Sequence, residues 1–594
     1  MVKEEVKKNI PNIIFLLLIS LFLFFSFSPT LLDLSYQNNL YDKNREFTLE
    51  HNYYWPDFNL YVSKIRQGYE GSILAKERYT TEPHSGSLIQ WLYVLLGIAG
   101  KTFGLSIPWS YQLGRILFAP LLLLVILLII KKYFLSFKNQ VFVLVITLIS
   151  GSFPRPFTDA HGAIRIGRYM EWWSNMDPLQ RTTHLPHILL AQAISFFLLY
   201  KLLIERVLPQ TSLSAGAPLR LSSARQREPF HLRHLFTINQ ILTWVFYILL
   251  GNFLGLIFPP SLMTLNLVIV FYVLISLIKN RNRNIKFVIC YLLFVISTLP
   301  SLLYIFFLTK TIPWSALVDA HKMTRMPVAL DQFILATGPI FYLATLGMVT
   351  LIIKRKIHWY PLIYFVVVSI LFASYFSISD DQSPLRFTQT GLFIPFGILG
   401  SYFLVEVWRW INEQLTMRNA QIKTIVRMCY LLFVICYLTM SSLILYSSYD
   451  WQREFIVERA HADHPLVPYP PQTLPPLKSW MDAIRFLENN TSHDDVVIAQ
   501  ITAANYIPAY AGNTVWWGQT NTYDYFRKQK LMEDFFKGEM SESQAIHLIA
   551  EGNIKYVFVG PQERDMMTGK KITDVYPFLN SFFKNSTVEI YKAQ

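Results

Sequence analysis

Charge is what this 594-residue sequence has least of. Only 15% of its residues are Asp, Glu, Lys or Arg, against 53% hydrophobic and 15% aromatic. A soluble globule carries about a quarter charged residues, so the deficit excludes an ordinary soluble enzyme. A mean hydropathy of +0.32 points the same way, to a polytopic membrane protein. Cysteine is also scarce. The three present, Cys290, Cys429 and Cys436, lie in or beside apolar runs, which rules out a disulfide framework and a CxxC metal site. Acidic residues number 39 against 53 Lys and Arg, a net charge of +14. The cations cluster in short segments between apolar runs, a pattern that sets membrane topology rather than one that binds nucleic acid. No phosphate-loop or dinucleotide glycine pattern occurs.

Long apolar runs are abundant. Residues 1–10 are polar and basic, and 11–32 form a run long enough to cross a bilayer. Without a small-residue cleavage site after it, this run reads as a signal anchor rather than a cleaved signal peptide. Residues 33–107 then form a large first extracytoplasmic loop, in which 87–103 is apolar but short and broken by Gly97 and Gly100. That stretch reads as a helix lying at the membrane interface. Further spans are expected at 108–130, 140–153, 184–204, 237–257, 261–278, 287–309, 332–353, 359–377, 387–405 and 427–447, about eleven with the first. The loops 131–139, 205–236, 279–286, 354–358 and 406–426 are all basic. The positive-inside rule therefore places the N-terminus in the cytoplasm and, after an odd number of crossings, the C-terminus outside. Segment 205–236 reads as a flexible insertion.

The chain divides into a transmembrane unit over 1–450, a proline-rich connector over 451–477 and a different kind of segment over 478–594. In the last, strand-like runs such as VVIAQI and IKYVFVG alternate with helical patterns. That alternation predicts a small extracytoplasmic α/β domain.

Chemistry is sought among polar residues that the topology places outside. The stretch 53–71, YYWPDFNLYVSKIRQGYEG, carries Asp57 behind Pro56, followed by Tyr61, Lys64 and Arg66. A carboxylate there serves either as a general base or as an ordinary helix N-cap. Segment 154–183 breaks the rule that outer loops are poor in cations. It holds Arg155, Arg165, Arg168 and Arg181 with Asp159, His161 and Glu171. In a helix, His161, Arg165 and Arg168 would share a face, and arginine forks suit phosphate; pairing with nearby acids or lipid headgroups is the plainer alternative. Arg115 lies within an expected span, where an ionisable residue needs a partner or water. His84 lies in TTEPHSG, His321, Lys322 and Arg325 in the 310–331 loop, and Asp380, Asp381 and Arg386 at a span junction. His184 and His187 stand three apart, but no clear third donor accompanies them, so they read as helix-start histidines rather than metal ligands.

This arrangement resembles the GT-C superfamily of membrane glycosyltransferases, which includes protein O-mannosyltransferases and the aminoarabinose transferases of lipid A. Asp57 in YWPDFNLYV matches the acid that the family carries soon after its first span. TEPHSGSLIQWLYVLLGIAGKTFG resembles the stretch leading into the family's interfacial helix, although the order here is Pro83-His84. WSYQLGRILFAPLLLLVILLI resembles the second span, with Arg115 at a family arginine position. The resemblance rests on motifs over 10–205 and on architecture beyond them. It lacks both paired first-loop acids and the second acidic motif of metal-dependent oligosaccharyltransferases, so a divalent metal stays possible but is not indicated, and no cofactor is assigned.

The resemblance implies an inverting transfer of a sugar from a polyprenyl-phosphate-linked donor to an extracytoplasmic acceptor, at a plasma (inner) membrane. Asp57 would be the base. Arg115, Arg386, Arg165 and Arg168 would bind the leaving phosphate, with Lys64 and His84 as further polar contacts. A transporter or flippase of a lipid-linked or anionic substrate is the main alternative, though the internal repeats such proteins often show are not seen. A non-catalytic envelope scaffold is the third.

Overall fold

The computed structural model describes residues 2–51, 57–159, 162–169, 176–205, 237–279, 285–323, 328–379, 381–414, 420–461 and 475–593. Tyr53 to Pro56, His161, Glu171, the 206–236 insertion, Arg325, Asp380 and the 462–474 part of the connector lie outside the described residues.

Helix α1 (Val2–Ser35) opens the bundle, and its apolar part, Ile10–Ser35, is long enough to cross a membrane. Comparable spans follow in α4 (Ile107–Tyr133), in α6 (Pro186–Leu199, continued as a π-helical segment to Ile204) and in α7 (Ile238–Ile257). They recur in α8 (Pro259–Lys279), α9 (Ile285–Leu308), α12 (Tyr360–Ile378) and α14 (Ala420–Ala460). Two shorter helices, α10 (Leu330–Thr337) and α11 (Pro339–Ile353), pass as one span only together, and they are bent by 95° at Gly338. Among the described residues the count is therefore eight, or nine with the bent pair, rather than about eleven. The protein is a multi-pass membrane protein.

Two of the expected spans fall short. Helix α5 (Phe137–Ile149) has 13 residues, about 20 Å at the helical rise. It stops where the buried Arg181 guanidinium donates to its last carbonyls, Thr147 O at 2.9 Å and Leu148 O at 2.7 Å, and also to Ser150 O. The backbone then leaves the helix, and Phe153 N–H donates to Leu335 O of α10. Gly338 packs against Gly151 there with a φ of 73°, which suits glycine. The 387–405 run is divided by a turn, with Gly391 at φ 96°, so α13 begins only at Phe393 and runs on to Gln414 through Glu406 and Arg409.

The first loop is not a loose excursion. Helices α2 (Asp57–Tyr69) and α3 (Trp91–Thr102) cross at backbone contact. A Cβ added at Gly97 would lie 2.0 Å from Ile65 O, and one at Gly68 would lie 2.0 Å from Val94 O. Gly97 and Gly100 thus do not break α3. They are the flat face on which it meets α2 and, at Ser110, α4. The helix expected to lie along the interface is half buried between its neighbours.

The C-terminal region is a mixed five-stranded sheet in the order β4-β3-β5-β7-β6. The central strands β3 (Val496–Ile498) and β5 (Ile554–Val559) pair in parallel, and β3 also pairs in parallel with β4 (Thr514–Val515). The antiparallel strands β7 (Glu589–Lys592) and β6 (Asn580–Lys584) complete the sheet. Helices α15 (Lys478–Asn490), α16 (Ile501–Tyr510), α17 (Tyr525–Lys537) and α18 (Glu542–Glu551) cover it. Its core is shared with the first loop, because Leu60 and Tyr79 pack among Trp480, Tyr506 and Phe558. Asn59 donates to Asn505 Oδ1 at 2.8 Å, and Arg66 Nε donates to Ala509 O at 2.8 Å. The sheet region therefore holds α2 in place.

Candidate functional site

Asp57 is the first residue of α2. The position favours an anion, since the N-terminal end of a helix carries partial positive charge. Among the described residues no capping hydrogen bond or ion pair occupies its carboxylate. It lies deep within the protein and yet keeps part of its surface accessible. Burial raises its pKa, and the Arg386 guanidinium pulls the value back down. The plain cap reading thus has no hydrogen bond to support it.

The floor beside Asp57 is aromatic. Tyr61, one turn along α2, stacks on Tyr93 of α3 at 4.2 Å and 13°, and Tyr93 lies parallel to Tyr111 of α4 at 6.1 Å and 7°. The middle ring and the Tyr111 ring each meet a histidine. The Tyr93 hydroxyl is 2.7 Å from His187 Nδ1, and the Tyr111 hydroxyl is 2.8 Å from His51 Nδ1. The glycine crossing of α2 and α3 is what lets Tyr61 reach Tyr93. Burial raises the pKa of Tyr61, with the negative charge of Asp57 adding to it.

The far wall comes from α6 and the turn before α13. His184 is fully buried, and the Leu185 N–H donates to its Nδ1 at 2.8 Å. Its pKa falls to about 3 through burial first, then through Arg386 and Arg115, so it stays neutral. His187 remains partly accessible with its Nδ1 on Tyr93. Arg386 sits in the short helical turn Leu385–Thr388, half-buried, and donates to Gln389 Oε1 at 3.3 Å. The Gln389 backbone carbonyl accepts from Gln192 of α6 at 2.7 Å, which ties the turn to the helix carrying His187. Asp57, His187 and Arg386 are partly accessible, and the Arg386 charge acts on both of the others.

The other residues singled out in the sequence are placed differently. Arg115 is buried on the inner side of this group, donating to Gln112 Oε1 at 2.6 Å and Thr30 Oγ1 at 3.3 Å, and it stacks over Phe27. It still acts on His51 and His184 through its charge. Lys64 is fully buried and donates to Lys76 O and to Glu77 at 3.2 Å. His84 holds the same segment: its Nε2 accepts from Glu77 N at 2.8 Å and its ring meets Trp314 edge-on. Arg165 pairs with Asp450 at 2.6 Å and Glu454 at 2.7 Å on α14, and Arg168 pairs with Asp177 at 2.8 Å. These pairings are the plainer alternative for the arginine-rich loop. Residues 164–167 form a strand rather than a helix.

Tyr61 was singled out beside Asp57, but Tyr93, Tyr111 and His51 were not anticipated as its neighbours. Tyr93 and Tyr111 sit in apolar helices where nothing in the local pattern distinguishes them from core. The His184/His187 spacing was visible, but its meaning depends on α2 and the Arg386 turn, which lie far away in sequence. Among the described residues no three His, Cys, Asp or Glu side chains gather as a metal-binding group.

No family model and no curated protein matches the sequence. Solved structures do match in fold. An oligosaccharyltransferase from Archaeoglobus fulgidus, solved in the apo form, superposes with a TM-score of 0.50 at 12% identity, covering 96% of this chain and 74% of that one. ArnT from Cupriavidus metallidurans, solved bound to undecaprenyl phosphate, gives 0.46 at 11% identity over 97% of each chain.

Proposed function

The chain has the fold of the GT-C membrane glycosyltransferases, and from that premise we propose that it is an integral-membrane glycosyltransferase. It moves a sugar from a polyprenyl-phosphate-linked donor to an extracytoplasmic acceptor, with inversion. The observation that carries this reading is the Asp57 carboxylate. Among the described residues it is free of partners, it is accessible in a deep site, and it is raised in pKa beside Arg386.

On this reading Asp57 takes the proton of the acceptor hydroxyl. The acceptor oxygen bonds to the anomeric carbon from the face opposite the phosphate. The bond from that carbon to the phosphate oxygen breaks, and the electron pair leaves with the phosphate. Arg386, fixed by Gln389 and the α6 contact, stabilises the leaving charge, and a preorganised donor in a water-poor site does this well. A raised pKa makes Asp57 a stronger base than a surface carboxylate once it is ionised. Arg115 is proposed to add positive potential from behind. Lys64, His84, Arg165 and Arg168 are proposed to hold the loops, as their ion pairs and hydrogen bonds favour. The membrane is proposed to be the bacterial plasma membrane, with the N-terminus inside and the sheet region outside.

The test is incubation of the purified, reconstituted protein with labelled polyprenyl-phosphate sugars and envelope acceptors. Covalent transfer of label is expected. Gradient-dependent flux of the lipid or sugar with no covalent product would instead establish the transporter reading.

A further inference from the structure

The two-stranded hairpin formed by β1 (Arg155–Thr158) and β2 (Ile164–Gly167) has its polarity reversed. Antiparallel register sets Phe157 opposite Arg165 on one face, and sets Pro156 opposite Ile166 and Thr158 opposite Ile164 on the other. Successive strand residues point to opposite faces, so the two sets are separated by the backbone. The Arg165 face is turned to α14, where the guanidinium meets Asp450 and Glu454. The other face, Pro156, Thr158, Ile164 and Ile166, points away, with Ile164 82% exposed and Ile166 39% exposed, and Phe157 at the edge of the Arg165 face is 46% exposed as well. A half-buried antiparallel pair in water puts apolar residues inward and charge outward. Here the arrangement is inverted.

The point of attachment supplies the reason. The exposed apolar band of α14, which includes Leu432, Ile435 and Leu443, ends at Tyr446. The next residue, Ser447, donates its hydroxyl to the Ile166 carbonyl. Charged residues follow at once, at Asp450, Arg453 and Glu454, with Trp451 partly exposed among them. Tyrosine and tryptophan between an apolar band and a charged segment mark the membrane–water boundary. The hairpin is fastened at that level, with its isoleucines on the side away from the protein.

We infer that this hairpin is an interfacial membrane anchor, with Ile164 and Ile166 seated among the lipids of the leaflet nearest the C-terminal sheet region. A lipid surface completes the inverted face without desolvating Arg165, which is already paired on the inner side. The inference rests on membrane insertion and not on the proposed reaction.

The experiment places a photoactivatable benzophenone amino acid at Ile164 of the full chain in liposomes and reads adducts by intact mass. The same probe at lipid-facing Leu443 and at solvent-exposed His547 sets the two limits. Lipid adducts at Ile164 and Leu443, and none at His547, are expected. Thr158, the cross-strand neighbour of Ile164, is a second attachment point with the same expectation. A probe at Ile164 and Thr158 that behaves like His547, or that links to a second copy of the chain, would overturn the inference.

Discussion

Burial pushes the Asp57 carboxyl up in pKa, and the Arg386 guanidinium pulls it back, although 329 residues of chain (386 − 57) separate the two. On the proposed reading one is the base and the other meets the leaving group, so their coupling is visible in kinetics. A base works only when ionised, so kcat/KM falls as pH drops through the raised pKa of Asp57. Arg386→Gln removes the charge that lowers this pKa. The acid limb of the pH–rate profile is expected to move to higher pH, with kcat reduced by on the order of 10²-fold. An unmoved limb would separate Arg386 from Asp57.

The crossing of α2 over α3 predicts sensitivity at a residue with no chemistry of its own. Gly97→Ala introduces a methyl group into the Ile65 carbonyl, and the helices must part. Overpacking of this kind costs about 1–3 kcal/mol. Because α2 carries Asp57 at its first turn, a shift of about 1 Å lowers transfer by on the order of 10²-fold. Thermal unfolding in detergent and a transfer assay on the same sample check both effects.

How much of this was legible from sequence varies with the range of the interaction. Composition and apolar runs revealed the membrane bundle, because crossing a bilayer constrains each segment locally. Strand and helix alternation after residue 478 revealed the sheet region for the same reason. One failed span turns on a distant event, Arg181 terminating α5 from 30 residues downstream of Gly151 (181 − 151), and the other on a turn at Gly391 inside an apolar run that reads as continuous. Gly97 looked like a breaker because its value lies in a partner helix. Asp57 and Arg386 were each conspicuous as polar residues at span ends, but their proximity, and the tyrosines between the histidines, belong to tertiary packing alone.

A buried charge cluster joins three parts of the molecule. Arg459 of α14 meets Asp33 of α1 at 3.4 Å and Glu50 of the first loop at 3.2 Å, and Glu50 accepts from Tyr506 of the sheet region at 2.7 Å. Removing one partner of such a set strands the others. Arg459→Met is therefore expected to destabilise the protein by about 3–5 kcal/mol. Adding Glu50→Gln to that variant should recover part of the loss. Unfolding curves of the two variants, measured side by side, give the coupling; simple additivity would contradict the cluster.

Glu563 makes stability depend on pH. Its carboxyl is fully buried and accepts N–H bonds from Gln500 at 2.7 Å and Gly560 at 2.9 Å, yet burial dominates and raises its pKa from 4.5 to about 7. The folded state therefore favours the protonated form. Its contribution is complete below pH 4.5 and is lost as pH rises to about 7, a change of about 3 kcal/mol. Hydrogen exchange of the amides around β3 and β5 in the full chain should show falling protection over that range. Glu563→Gln should flatten it.

The most direct test of the central claim is single-turnover transfer by reconstituted Asp57→Asn protein with a labelled polyprenyl-phosphate sugar. The substitution keeps the shape of the side chain and removes the base. Transfer is expected to fall by about 10²–10⁴-fold, with donor still bound. Full transfer activity in Asp57→Asn would contradict the account.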